Sequence, residues 1–363
     1  MCPKKCRCCF KKRTKKPPIR PILLITDIGR DIDDTLALIL LNTFRKQNKI
    51  KIVGIVTTGV NGKTRGRVVR RWLNHFELPT GERKLLRNIP IAACGTNLEH
   101  SECSECSECS ECSECYVPDD APLLKNALLS KLSPAQLILE ATQSNMGKLE
   151  IFAIGPLTPL SDALHMKGGL DILKSGIKIL HIQGQLKMDT GNQSLILPDL
   201  QSYNLSKDPK ASHHVFTLLQ ESVPFRMLGK YAAYQIDLNK TNFTEWNNNN
   251  NSADNNIKNE LLKEVKHVLN AFRTSDAEKF YELYPVPMKH RTDTDWFENM
   301  TTLSHPYDPL CILAAFHPKL FRSKQIKGTH HRTIGNTKEE NGVVNPMETK
   351  QRLVQLIGHG IKE

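Results

Sequence analysis

Asp27, Asp31, Asp33 and Asp34 fall within eight consecutive positions. Carboxylates packed this closely repel one another and take up protons unless a cation lies between them. Clustered hard oxygens select Ca²⁺ or Mg²⁺, and Ca²⁺ is favoured where ligands are many and the geometry flexible. Such an ion lowers the pKa of a bound water and fixes its line of attack, so hydrolysis is the chemistry this spacing suggests. The competing reading is an acidic helix start on a solvated loop.

The flanking residues say how the acids are held. Residues 22–25 are all apolar and read as a strand buried on both faces. Leu36, Leu38, Ile39 and Leu40 follow at helical spacing. This puts Asp33 and Asp34 in the first turn, where carboxylates suit the positive helix end. The acidic loop thus lies beyond the carboxyl end of a strand, where open α/β sheets place their ligands. Further strands are expected at 50–58, 89–93, 149–154, 177–182 and 223–228. Helices are expected at 65–76, 133–145, 210–219, 257–272, 307–316 and 348–357, and one is expected to run through Leu164. A long loop is expected from the fifth strand to about residue 207. The alternation implies an α/β fold: a mostly parallel, open, Rossmann-like central sheet flanked by helices, with right-handed crossovers.

The 363 residues suffice for a large core, and the formal charge is +12. Residues 1–20 contain nine lysines and arginines and no acid, so removing them leaves +3 for the body. A basic groove for nucleic acid on the folded body is therefore not expected, whereas a basic tail is. No apolar run is long enough for a transmembrane segment.

Four of the eleven cysteines lie in the tail and five in tandem Ser-Glu-Cys triplets at 101–115; the others are Cys94 and Cys311. That distribution does not describe a disulfide framework and points to a reducing, cytoplasmic compartment. A triplet period without large apolar residues builds no core, and the asparagine-rich stretch 247–256 reads as a loop. The organisation is therefore a basic, cysteine-containing tail at 1–20 and one domain at 21–363, with low-complexity insertions at 101–115 and 247–256.

Asp27-Ile28-Gly29, then Asp33-Asp34 with Leu36-Ala37-Leu38, resembles the signature of the nucleoside hydrolase family, with Arg30 and Asp31 extending it into a D-I-G-x-D-I-D-D form. Further segments are similar in the family's order. They are Val56-Thr57-Thr58 with Asn61, Gly155-Pro156-Leu157-Thr158, Tyr203-Asn204 with Asp208-Pro209 and Ala211, and Asp308-Pro309-Leu310. The resemblance runs from about residue 22 to 318. It implies a Ca²⁺ ion held by Asp27, Asp34, Asp308 and the main-chain carbonyl of Thr158, with Asp27 as general base. It also implies ribose contacts from Asp33, Asn61, Asn192 and Asn204, a small-molecule nucleoside substrate, a place in purine or pyrimidine salvage, and homo-oligomers.

Each position has a structural alternative. Asn61 precedes glycine and suits a turn as well as a ribose contact. Thr158, Asn204 and Asp308 are all suited to helix starts. Where the best-known branch has a leaving-group acid, this chain has Tyr307, with His305 two positions before it. Either would donate a proton to the departing base, or pack. Cleavage of an N-glycosidic bond passes through a sugar of oxocarbenium character, which calls for a water nucleophile and hydroxyl contacts. Two rivals stand beside hydrolysis: a binding or regulatory protein on the same fold with turnover lost, and a Mg²⁺-dependent haloacid-dehalogenase-type phosphatase using Asp31.

Overall fold

The computed structural model describes residues 18–29, 31–59, 61–76, 86–94, 129–189, 191, 195–245, 252–284, 286–291, 296–300 and 302–361. The tail cysteines, the Ser-Glu-Cys repeat, Asn192 and residues 246–251 lie outside them.

The elements follow in order: β1 (Arg20–Thr26), α1 (Asp33–Lys46), β2 (Ile50–Thr57), α2 (Gly62–His75), β3 (Ile91–Ala93), α3 (Pro134–Ser144), β4 (Leu149–Ala153), α4 (Thr158–His165), α5 (Gly169–Gly176), β5 (Ile177–Gln183), β6 (Leu186–Met188) and β7 (Ile196–Pro198). They continue with α6 (Tyr203–Ser206), α7 (Pro209–Leu219), β8 (Phe225–Leu228), α8 (Lys230–Ala233), α9 (Lys240–Glu245), α10 (Ser252–Ser275), α11 (Ala277–Leu283), α12 (Tyr307–Phe316), β9 (Lys324–Gln325), β10 (Arg332–Ile334) and α13 (Pro346–Ile361).

Eight strands form one sheet in the order β3-β2-β1-β4-β5-β8-β10-β9, parallel except for β9, which runs against β10 at the edge. β1 pairs with β2 on one side and β4 on the other. It is therefore central, and residues 22–25 are fully buried, as their unbroken apolar run requires.

The sheet is covered on both faces. On one side α1, α2, α12 and α13 share a core with Ile22, Leu24 and Phe152; on the other α3, α4, α5 and α7 pack over Leu23, Ile25 and Ile151. Residues 33–44 of α1 are all buried, because the helix is enclosed between the sheet and its neighbours α12 and α13.

Several boundaries differ from the sequence expectation, each for a local reason. Ser133 starts α3 with a reciprocal bond to Gln136, a capping box with proline at the first turn, as expected. The loop expected after β5 instead contains the β6–β7 hairpin and the short α6. Helix α10 begins at Ser252, so 252–256 of the asparagine-rich stretch are helical, carried by the amphipathic pattern downstream. The pair β9–β10 is too short to leave a period in the sequence.

Candidate active site

The site is built where β1 ends. Thr26 closes the strand, and its buried hydroxyl donates to Asp34 Oδ1 while accepting from the backbone N–H of Ile28 at 3.2 Å. The strand end and the first turn of α1 are thus tied together through one threonine.

The acids then use one another's backbone. Asp31 Oδ1 accepts from the N–H of Asp33 at 3.2 Å, and Asp33 Oδ1 accepts from that of Asp34 at 3.1 Å. Asp31, Asp33 and Asp34 each place a carboxylate oxygen within 4.8 Å of the others. Asp27, Asp33, Asp34 and Asp308 are all buried, whereas Asp31 is exposed.

Asp308 arrives from far along the chain, in the first turn of α12. Burial, then the charges of Asp34, Asp31 and Asp27, push its carboxyl well above the usual range. Asp34 is raised likewise by burial and by Asp27 and Asp31, with Thr26 and Arg65 pulling the other way. Carboxylates clustered so that burial and neighbouring charge raise Asp34 and Asp308 are a donor set that fits a hard divalent cation. The β4 turn packs tightly against this set: a Cβ on Gly155 would stand 2.8 Å from both the nitrogen and Oδ1 of Asp27, and 2.9 Å from Thr58 Cγ2. Only glycine lets the β4 turn approach that carboxylate so closely.

These acids floor a cavity of about 550 Å³. Asn204 and Tyr307 also line it. Asn204 donates both amide hydrogens, at 2.9 Å to the Ile154 carbonyl and at 2.9 Å to Gln183 Oε1, which leaves its Oδ1 as the acceptor for a ligand. It does not cap the next helix; Asp208 does, accepting from Ala211 N–H at 2.9 Å.

The other expected residues, Thr158, Asn61 and His305, are not among those lining the cavity. Thr158 is the first residue of α4, and its hydroxyl donates to Asp208 Oδ2 at 2.8 Å. Asn61 has φ 60° and precedes α2 without a side-chain cap, the left-handed turn its Asn-Gly sequence suggests. His305 lies behind Tyr307, with Nδ1 3.3 Å from the Ile236 carbonyl and its ring 6.3 Å from that of Tyr307. Asp308 is not the cap of α12, a place taken by Pro306.

Some side chains were not legible as site residues. Buried Arg65 donates to the Ile28 carbonyl at 2.9 Å and counters the charge on Asp34. Tyr234, Tyr284 and Phe272 form an aromatic wall, with ring centroids of Tyr234 and Tyr307 5.9 Å apart. Lys230 and Lys279 also line the cavity. The single available signal was the pair of tyrosines after Lys230, Tyr231 and Tyr234; α10 and α11 offered only an amphipathic pattern.

No curated protein sequence matches the chain. Among solved structures, it is similar to the type III effector protein XopQ complexed with adenosine diphosphate ribose, at TM-score 0.73 and 18% identity over 96% of each chain. It is also similar to the purine-preferring ribonucleoside hydrolase from Gardnerella vaginalis, at TM-score 0.58 and 16% identity over 94% of this chain and 99% of that one. The inosine-uridine preferring nucleoside hydrolase from Bacillus anthracis gives 0.52 and 14%, over 94% and 100%. These likenesses establish a shared fold. A family profile described as inosine-uridine preferring nucleoside hydrolase matches residues 22–355. With that match over nearly its whole length, the chain belongs to the inosine-uridine preferring nucleoside hydrolase family.

Proposed function

We propose that this chain hydrolyses the N-glycosidic bond of ribonucleosides to ribose and free base, with Ca²⁺ as its resident cation. The observation that carries the reading is the convergence of Asp27, Asp33 and Asp34 with Asp308 on one cavity floor. Asp27, Asp34 and Asp308 would hold the ion, with the Thr158 carbonyl as neutral ligand. When bound, Ca²⁺ supplies charge that acidifies water and binds sugar hydroxyls. Asp27 then takes the proton of the attacking water as general base. Asp33 and the Oδ1 of Asn204 accept from ribose hydroxyls, since the amide hydrogens of Asn204 are already committed. Asn61 would contribute from the edge of the site. The aromatic wall of Tyr307, Tyr234 and Tyr284 receives the base by stacking. The test is release of ribose from a panel including inosine and uridine, with Ca²⁺ and with chelator. Release that is lost on chelation and in Asp27→Ala supports the reading; no release from any nucleoside in Ca²⁺ overturns it.

A second reading is a binding protein with the hydrolytic step lost, and one observation favours it. Lys230 and Lys279 add cationic charge to a cavity whose nucleoside-binding role does not need it, and which a diphosphate would use. XopQ, the similar effector, is solved with adenosine diphosphate ribose. Calorimetric binding of that ligand with no ribose released from nucleosides would select this reading.

A further inference from the structure

A second cavity, of about 430 Å³, lies at the opposite end of the sheet from the acids. Its lining includes Arg20 at the start of β1, residues along β8 and β10, and Cys311, Ala314 and Ala315 of α12. Three arginines line it, Arg20, Arg226 and Arg332, together with His181, and no carboxylate among the described residues does. Register explains the gathering. His181 on β5 pairs with Arg226 on β8, and Arg226 pairs with Arg332 on β10. The three side chains therefore form a cross-strand row on one face.

The row is unfavourable by itself, because like charges directly opposite on neighbouring strands repel. Arg20 is compensated: its guanidinium is paired with buried Glu150, which His181 also contacts at 3.2 Å. Arg226 and Arg332 are not. Arg226 donates to the His330 carbonyl at 2.9 Å, and Arg332 donates to Ser323 Oγ at 2.9 Å. Neither has a carboxylate partner among the described residues. Burial and the charge of Arg332 lower the proton affinity of Arg226, the sign expected of a cation facing a cation.

We propose that this cavity is an anion-binding site, fitted to a small molecule bearing a phosphate monoester on an apolar body. Two uncompensated guanidiniums match a dianion, and guanidinium forks bind phosphate oxygens in pairs. The remaining lining, including Ile179, Leu228, Ala314 and Phe321, is apolar and suits the body of such a ligand. The site is independent of nucleoside hydrolysis, since no residue of the acidic cluster lines it.

Calorimetry on the full chain tests this, with phenyl phosphate, benzoate and phenol as probes in chelator, so that no divalent ion bridges phosphate to the acids. Phenyl phosphate is expected to bind about tenfold more tightly than benzoate, and phenol not measurably. Raising the salt concentration should weaken phosphate binding. Arg226→Met and Arg332→Met should each lose about tenfold in affinity. In the absence of ligand, either substitution should leave Tm unchanged or raise it, because it ends the repulsion. Equal binding of phenol and phenyl phosphate overturns the proposal, and so does phosphate affinity that survives both substitutions. If neither variant folds, the comparison of probes on the unsubstituted protein decides alone.

Discussion

Asp33 Oδ2 accepts a hydrogen bond from the backbone N–H of Asp308 at 3.3 Å, across 275 positions of sequence. Its other oxygen takes the N–H of Asp34 at 3.1 Å. One carboxylate thus holds the first turns of α1 and α12 against each other, and with them Asp34 and Asp308.

This arrangement makes Asp33 a positioning group as well as a candidate sugar contact. Asp33→Ala removes both backbone bonds and the charge; Asp33→Asn removes the charge but retains one acceptor oxygen. Because the charge is lost in both, their difference isolates the backbone tie. Each buried donor left without a partner costs about 1–3 kcal/mol. Thermal unfolding should therefore rank Asp33→Ala below Asp33→Asn by about that amount. Equal Tm values would show that the tie contributes nothing.

The buried acids predict how stability depends on Ca²⁺. Asp34 and Asp308 have carboxyls raised by burial and by their neighbours. A group whose pKa is higher in the folded state than the unfolded stabilises while protonated, and that contribution is lost as pH rises. Chelated protein should thus lose stability as pH climbs from about 4, the ordinary range of an aspartate. Ca²⁺ at one hundred times its Kd should restore about 2.7 kcal/mol at neutral pH. Asp34→Asn should be more stable than the unsubstituted chain in chelator, and its Tm should not respond to Ca²⁺. An unchanged Ca²⁺ response in that variant would remove Asp34 from the ligand set.

Gly155 offers a steric test of the same floor. An added Cβ would meet Asp27 at 2.8 Å on both its backbone nitrogen and Oδ1. Neither the strand end nor the carboxylate can yield without moving the acid. Gly155→Ala should cost about 1–3 kcal/mol, the usual range for overpacking, and should weaken Ca²⁺ binding in the same preparation. A variant with normal Ca²⁺ affinity would mean that Asp27 lies outside the ion's shell.

How far the sequence revealed this follows from what each feature depends on. β1 and the first turn of α1 were legible because an apolar run and four aspartates are local signals. The convergence of Asp308 on that loop was not, since α12 reaches it only through the sheet's crossovers; the family resemblance, not spacing, placed it there. The aromatic wall was missed for a related reason. Tyr284 follows a helix whose pattern marks only amphipathicity, and its approach to the cavity is a tertiary fact. His305 shows the converse: a residue type suited to acid chemistry lies behind Tyr307 rather than in the cavity lining.

Glu264 was equally hidden, at a position on α10 that reads as one turn of a surface helix. It is fully buried and accepts from Thr35 Oγ1 at 2.7 Å. Burial raises its pKa to about 7, although the Thr35 hydroxyl donates to it. The folded value exceeds the unfolded one, so its contribution is present below about 4.5 and is lost as pH rises through about 7. A shift of that size corresponds to about 3 kcal/mol across the window. Glu264→Gln keeps an acceptor for Thr35 without the charge. It should flatten the stability profile between pH 4.5 and 7 and raise Tm at pH 8. An unaltered profile would mean that the carboxyl titrates normally.

Tyr307 stands directly before Asp308 and lines the cavity where the departing base would sit. Whether it donates a proton or only stacks can be argued from its surroundings. Burial, then the neighbouring Tyr234 and Tyr284, raise its phenol well above the ordinary tyrosine value. A general acid works best with a pKa near the operating pH, and a phenol raised further from neutrality is a poorer one. Its ring, in contrast, is fixed in an aromatic group, 5.9 Å from Tyr234. The expected result for Tyr307→Phe is kcat on ribonucleosides within about threefold of the unsubstituted chain, well short of the roughly 10²-fold or greater loss that removing a general acid causes. Tyr307→Ala should raise KM by about tenfold, the upper end for one lost aromatic contact. A kcat that collapses in Tyr307→Phe would assign proton donation to the hydroxyl and overturn the stacking role. Steady-state kinetics of ribose release from inosine and uridine at neutral pH separates the two outcomes, because the phenylalanine keeps the ring and lacks only the proton.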